Sequence, residues 1–139
     1  MSTTEHEQAT SILHHLFTAS SFVGIDFGSG PNHHLLYFSR QGLESWISIE
    51  GPWHVHATQN TFEQLMRLRR ERIHQVLLGD EHPHLELEFE SGSLLFINGY
   101  QEHFECWQAG DARPLGGDAY LLVAMPQGEL AIFADGDDE

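Results

Sequence analysis

Histidine is the residue type in this chain with the most chemistry to offer, because there are eleven of them. One residue, Val55, separates His54 from His56. In an extended strand both imidazoles therefore point to the same face, where they could be the first two ligands of a zinc or nickel site. His82, His84 and His103 lie where stacked hairpins would bring them near. No cysteine pair and no His-Glu-x-x-His helix accompanies them. The pattern therefore favours scattered histidines over a bound metal, and no cofactor is expected.

Cys106 is the only cysteine, so the chain forms no internal disulfide. Its neighbours predict a strand, in which a thiol is usually a small buried hydrophobe. His103 lies three residues earlier, on the opposite face of such a strand, so no local Cys–His pair forms. We therefore assign no catalytic residue and do not expect an enzyme.

Three glutamates alternate with three apolar residues over positions 85–90, which is the period of a half-buried strand. The turn residues 91–93 and the apolar run 94–97 predict an antiparallel return strand. If Phe89 pairs with Leu94, the apolar side chains share one face. The glutamates Glu86, Glu88 and Glu90 then share the other face.

Charge is the strongest compositional signal, since 21 acidic residues and no lysine give a net charge of −15. Such a chain is repelled by nucleic acid and attracts a basic partner. The simpler interpretation is that acidity only keeps the protein in solution. If the surface is a binding site, the sequence predicts acidic residues and aromatic anchors at Asp80, Glu81, Glu86, Glu88, Glu90, Glu102, Glu105 and Tyr100, with Phe104 and Trp53 as further anchors.

Four of the six arginines fall within residues 67–72. At the end of a helix, this run complements the negative end of the helix dipole. The alternative is an exposed basic spot that pairs with acidic residues of a second copy. The first interpretation is favoured.

The elements that must position these residues predict an α+β fold. We expect a single antiparallel, strongly curved sheet of about six to eight strands, with one N-terminal helix and one short middle helix packed on it. The helices are expected at 5–19 and from about 61 to 70. The strands are expected at 22–27, 34–39, 45–50, 53–57, 72–78, 85–90, 94–97, 104–107, 120–125 and 129–134. Residues 109–118 are expected to form a loop.

Length predicts one domain over residues 1–139, with 1–5 and 135–139 frayed. No apolar run reaches the roughly 18 residues of a membrane helix, and the polar first ten residues do not fit a secretory signal. The sequence thus predicts a cytoplasmic protein that contacts neither membrane nor nucleic acid, as a monomer or a homodimer.

Four short motifs occur in a fixed order: IEGPW at 49–53, LxLxFxSG at 85–92, FExW at 104–107 and MPxGELA at 125–131. In this order the chain resembles a group of small bacterial domains of unknown function. These domains are similar to the immunity proteins that accompany polymorphic or contact-dependent toxins. The resemblance implies an α+β fold and neutralisation of a toxin, and it transfers no functional residue.

Three functions therefore stay open. The first is an acidic module that binds a basic partner, most plausibly a nuclease-type toxin. The second is a small-molecule- or metal-binding domain, possibly an enzyme, with a pocket lined by Trp46, Trp107 and Tyr37 and histidines at its mouth. The third is dimerisation, because the run 94–97 has apolar groups on both faces and needs cover. The helix 5–19 is the expected cover.

Overall fold

The computed structural model describes residues 1–28, 33–56, 62–111 and 120–134, with Phe62 described by its backbone alone. Two helices and ten strands lie in these ranges, together with a 3-10 turn at Pro126–Gly128. In chain order they are α1 Thr3–Phe17, β1 Ser21–Phe27, β2 His34–Arg40, β3 Leu43–Ile49, β4 Trp53–Val55, α2 Phe62–Arg67, β5 Ile73–Leu78, β6 Leu85–Phe89, β7 Leu94–Ile97, β8 Trp107–Asp111, β9 Tyr120–Ala124 and β10 Leu130–Ala134.

The strands form two antiparallel sheets, where the sequence predicted one. The larger sheet has the order β1-β2-β3-β8-β9-β10 and the smaller has the order β4-β7-β6-β5. The α+β class with an N-terminal helix and a short middle helix is confirmed. Gly51 and Pro52 separate β3 from β4 because a proline interrupts strand pairing, and the chain changes sheets there. Among the described residues, an isolated bridge between Ser21 and Arg72 connects the two sheets.

The helix α1 begins earlier than predicted. The Ser2 side chain accepts a hydrogen bond from the Glu5 N–H, and the Glu5 carboxylate accepts one from the Ser2 N–H. This capping box satisfies two backbone donors, so the prediction that residues 1–5 are frayed is wrong. The frayed end predicted at 135–139 lies outside the described residues. The apolar stripe of the helix is buried as predicted, at Ala9, Ile12, Leu13, Leu16 and Phe17.

Helix α1 packs chiefly against the edge strand β5. The Nε2 atoms of His6 and His14 lie 2.9 and 3.2 Å from the carbonyl oxygens of Leu78 and Val76. A carbonyl oxygen only accepts, so both Nε2 atoms carry the proton. The helix therefore covers the backbone edge of β5, which an exposed strand would leave open to other chains. It does not provide the predicted cover for the outer face of β7.

Both sheets and α1 share one buried core. Each large apolar side chain that is removed from water contributes about 1.5–3 kcal/mol. The largest fully buried side chains include Trp107, Phe17, Phe22, Phe38 and Phe89. Among the described residues, no helix is long and apolar enough to cross a membrane.

The hairpin of β6 and β7 has a different register from the predicted one. Leu87 pairs with Leu95, and Glu88 pairs with Leu94. The predicted pairing of Phe89 with Leu94 is wrong by one residue, because the Phe89 N–H instead donates to the Ser93 carbonyl and closes a turn that is shorter by one residue.

A shift of one residue exchanges the two faces of a strand. Leu95 and Ile97 consequently lie in the core, where they are fully buried. Leu94 and Phe96 lie on the outer face, beside the glutamates of β6. The physical reason is that this register buries two large aliphatic side chains against the inner face of β6, whereas the predicted one would have exposed them.

The strand β8 is also displaced from its prediction. Residues 104–106 are irregular, and the strand begins at Trp107 and runs to Asp111 between β3 and β9. Residues 109–111 were predicted to be loop, because glycine and aspartate are poor strand formers, but pairing on both sides overrides that preference. Gly110 fits because an added Cβ would lie 2.7 Å from the Tyr120 carbonyl oxygen. The rest of the predicted loop, 112–119, lies outside the described residues.

The other predicted boundaries hold more closely. The chain from 72 to 78 is a strand and not a continuation of α2, as β5 shows, and β9 and β10 form the predicted last hairpin. The helix α2 ends at Arg67, three residues before the predicted stop.

Arg40 holds the C-terminal end of α1. Its guanidinium donates to the carbonyl oxygens of Thr18 at 2.6 Å and His15 at 2.8 Å. A cation at this end also complements the helix dipole. We expect Arg40→Met to lower the free energy of unfolding by about 1–2 kcal/mol, measured by urea denaturation. Arg69→Met removes an exposed arginine as the control and should change it by less than about 0.5 kcal/mol. Equal losses in both variants would contradict this role of Arg40.

Candidate functional site

Six ring side chains form a continuous line on the outer side of the smaller sheet. The ring centroids of neighbouring members lie 4.5–5.8 Å apart, beginning on β4, crossing β7 and ending in the loop after β7. We call this line the aromatic strip. Its members in spatial order are His56, His54, Phe96, His84, His82 and Tyr100.

The backbone register explains why these residues meet. His54 pairs with Phe96 across β4 and β7, and Phe96 pairs with Glu86 across β7 and β6. Residues directly opposite in antiparallel strands point to the same face, so all three side chains lie on the outer face. The His54 ring stacks on the Phe96 ring at 5.0 Å. The sequence identified the histidines, but it missed Phe96 because of the one-residue error in the predicted register.

Glu86 and Glu88 lie beside the aromatic strip, half-buried on the same face. Their cross-strand neighbours on β5 are Leu77 and Gln75, which are both uncharged. Glu90 lies past the end of β6, and its carboxylate is 3.9 Å from the Arg72 guanidinium. The predicted row of three glutamates is thus a pair on the sheet and a third partly compensated residue at its end.

The loop between β7 and β8 continues this surface. Tyr100 is 38% exposed and Phe104 is 70% exposed, which is unusual for aromatic side chains of this size. Glu102 and His103 lie between them, and the Glu102 carboxylate is 3.4 Å from His103 Nε2. The Glu105 carboxylate accepts a hydrogen bond from the Gln108 side chain. Tyr100 is therefore joined to the aromatic strip through His82, and Phe104 is exposed further along the same loop.

Three predicted site residues have other positions. Trp53 is 7% exposed and belongs to the core, so the prediction that it is a surface anchor is wrong. Its side chain points inward because it pairs with the buried Ile97. Asp80 and Glu81 are exposed in the turn between β5 and β6, and the Asp80 carboxylate lies 3.2 Å from His6 Nε2.

The histidine pair on β4 is the best candidate for metal ligands. The ring centroids of His54 and His56 are 4.9 Å apart on one face, as the spacing predicted. Within the part of the chain that the structure describes, no group of three or more His, Cys, Asp or Glu side chains is arranged to hold a metal ion. A structural zinc site has four ligands, so this pair by itself falls short of one.

Cys106 does not have the environment of a nucleophile. It is fully buried, and burial raises the pKa of its thiol to about 11. At neutral pH the sulfur is therefore protonated, whereas the reactive form is the thiolate. His103, the imidazole nearest in sequence, is 76% exposed on its side chain and does not reach it.

The predicted ligand pocket is not formed by the residues assigned to it. Trp107 is fully buried, and its Nε1–H donates to the Pro83 carbonyl at 2.8 Å. Trp46 and Tyr37 pair with each other on the opposite, outer face of the larger sheet. Together with Val23 they line a groove of about 280 Å³. This groove lies on the larger sheet, whereas the aromatic strip lies on the smaller sheet.

The arginine run is exposed at the end of α2. Arg67 lies in the last turn of the helix, where the first interpretation placed it. Arg69, Arg70 and Arg72 follow in the turn that leads to β5, and all are exposed. The basic cluster therefore lies on α2 and in the turn before β5, where Arg72 faces Glu90 at the end of β6.

The fold and this surface define an α+β protein with two antiparallel sheets, one of which presents a histidine-rich aromatic face flanked by glutamates. Comparisons with protein-family models, curated proteins and solved structures gave no match. The argument for function consequently depends on the surface itself.

Proposed function

We propose that this protein is an acidic binding module that neutralises a basic, nuclease-type bacterial toxin. In this role it would act in the same way as the immunity proteins whose motifs it resembles. The observation that carries the proposal is the outer face of the smaller sheet, where a line of six rings runs beside Glu86 and Glu88. Protein-binding surfaces concentrate their affinity in aromatic and charged anchors of this kind.

Charge complementarity selects the partner. The chain carries a net charge of −15, and the strip and its flanking glutamates contain no arginine or lysine. Such a face attracts a basic protein over a long range and accelerates encounter at low salt. Phe104 and Tyr100, exposed at one end of the face, supply apolar contacts that an electrostatic encounter alone lacks.

The test uses the toxin domain encoded by the gene directly upstream. We expect Glu86→Lys with Glu88→Lys to weaken its binding at least about 100-fold, because each close charge pair at an interface contributes more than about 1.5 kcal/mol. Affinity is measured by titration calorimetry. We expect capture by wild-type protein to decrease as salt is raised.

A matched control keeps the net charge equal. Glu7→Lys with Glu63→Lys makes the same charge change at exposed positions on α1 and α2, away from the strip. Its affinity should change by less than about threefold, since distant charges are screened. Equal weakening by both pairs would mean that only net charge matters. The absence of a toxin-domain gene upstream, or of any binding, would overturn the proposed function.

A further inference from the structure

His84 occupies a defined protonation state in the centre of the strip. Its Nδ1 atom accepts a hydrogen bond from the Gly99 N–H at 2.8 Å. An atom that accepts from an N–H donor carries no proton, so the ring is neutral with its proton on Nε2. Gly99 begins the loop that carries Tyr100 and Phe104. The neutral imidazole is therefore the acceptor that joins this loop to β6.

The surroundings of His84 oppose its protonation. Burial and the neighbouring His82, 5.8 Å away, lower the pKa of His84, while Glu86 acts in the opposite direction. From β7 it meets the uncharged Phe96 ring, with His54 of β4 beyond that ring, and Tyr100 of the loop contacts His82. The groups that face it are thus two further histidines, one carboxylate and one phenol.

Every basic side chain of the strip is a histidine. Histidine is the side chain whose ordinary pKa places its change of charge between about pH 5 and 8. Neutral imidazole and phenyl rings present faces on which a planar guanidinium stacks, and adjacent carboxylates pair with its N–H groups. Protonated imidazoles repel the same guanidinium. Protonation of an imidazole in the strip therefore weakens the attraction of this face for a guanidinium.

We propose that the aromatic strip binds an arginine-bearing segment of the partner only while His84 is neutral, so that acidification releases it. The proposal rests on the proposed function and adds its regulation. Protonation of His84 at Nδ1 also breaks the bond to Gly99, which is one of the contacts that hold the loop carrying Tyr100. Arginine binding and proton uptake oppose each other, so affinity decreases as pH falls.

The same linkage acts on stability. A histidine whose pKa is lower in the folded protein than in the unfolded chain takes up its proton less readily when folded. Its contribution to stability is therefore present above the unfolded pKa and is lost as pH falls through the lowered folded value. We expect the free energy of unfolding of the wild-type protein, measured in urea, to decrease as pH falls from the unfolded pKa of His84 to its lowered folded pKa. In His84→Asn the decrease over the same pH range should be smaller.

A short oligo-arginine peptide is the probe for the strip, followed by amide NMR spectra of the full chain. At about pH 7.5 the peptide should shift the amides of residues 54, 84, 86 and 96, and its affinity should be at least about tenfold lower at about pH 5.5. An oligo-lysine peptide of equal length, which lacks the planar group, should bind the face more weakly. The Gly99 amide signal should titrate with pH in the absence of peptide.

Two variants decide the origin of the pH effect. His84→Asn keeps a hydrogen-bond acceptor for Gly99 but does not titrate, so the Gly99 amide should no longer respond to pH. The same variant should reduce the pH effect on peptide affinity to less than about twofold. His103→Gln, exposed on the loop outside the strip, is the control and should leave the tenfold effect intact.

An undiminished pH effect in His84→Asn would overturn the proposal, and so would peptide shifts confined to residues outside the strip. These failures are separable from failure of the proposed function. If a toxin domain binds equally at both pH values, the proposed function stands and the proposed pH regulation fails. If the peptide responds to pH but no toxin domain binds, the pH-dependent surface stands and the proposed function fails.

Discussion

Trp107→Ala should bring the protein close to unfolding. The side chain is on the larger sheet and is fully buried. Its Nε1–H donates to the Pro83 carbonyl, in the turn between β5 and β6 of the smaller sheet. Truncation leaves a cavity, which costs about 3–5 kcal/mol for a tryptophan, and leaves a buried acceptor unpaired at about 1–3 kcal/mol more. We expect the urea midpoint to fall by most of its value, because native proteins are stable by about 5–15 kcal/mol.

The chain provides its own control for this loss. Trp46 lies on the adjacent strand β3 but on the outer face, where it is half-buried. Trp46→Ala should cost less than half as much, because it removes less surface from contact and opens no closed cavity. Trp107→Phe separates the two parts of the loss, since it keeps most of the ring volume and removes the donor. Equal losses for Trp46→Ala and Trp107→Ala would contradict the burial of Trp107.

Gly99→Ala should be nearly as damaging, although it adds a single methyl group. A Cβ at this position would overlap the Pro83 carbonyl oxygen and lie 2.5 Å from the His84 backbone nitrogen. Both atoms belong to the backbone, so the strain is relieved only if a strand or the loop moves. We expect a loss of at least about 2–3 kcal/mol in the free energy of unfolding.

A second expected effect identifies the cause. Moving Gly99 also lengthens the Gly99–His84 hydrogen bond, so the pH response of the residue-99 amide should weaken with the stability. Gly51→Ala is the control, because an added Cβ there meets nothing within 4 Å. Its stability should stay within about 0.5 kcal/mol of wild type. If Gly99→Ala behaved like Gly51→Ala, the close approach of β7 to the 79–84 turn would be wrong.

Local patterning determined most of the secondary structure. The stripe of α1 was readable because apolar residues at three- and four-residue spacings leave only one face to bury. The alternation in β6 was equally clear, and Gly128, with φ of +77°, was recognisable as a turn residue before β10. These features depend on neighbours within one or two turns of chain, so the sequence contains them directly.

Pairing between distant segments was not determined in this way. The strand β8 carries a loop-like composition, yet β3 and β9 hold it from both sides. The register of β7 depends on which of two equally apolar faces meets the core, and periodicity does not distinguish them. The same limit applies to Arg40, whose role as the cap of α1 depends on a strand that lies more than twenty residues away.

The acidic character and the wealth of histidine were properties of the sequence alone, because composition needs no fold. Only the tertiary structure decided that four of the histidines lie in line with Phe96 and Tyr100, beside Glu86 and Glu88. The physical reason is that side chains from three strands and two loops share a face only after the strands have paired in one register. That register is selected by burial of Leu95 and Ile97 in a core built from both sheets.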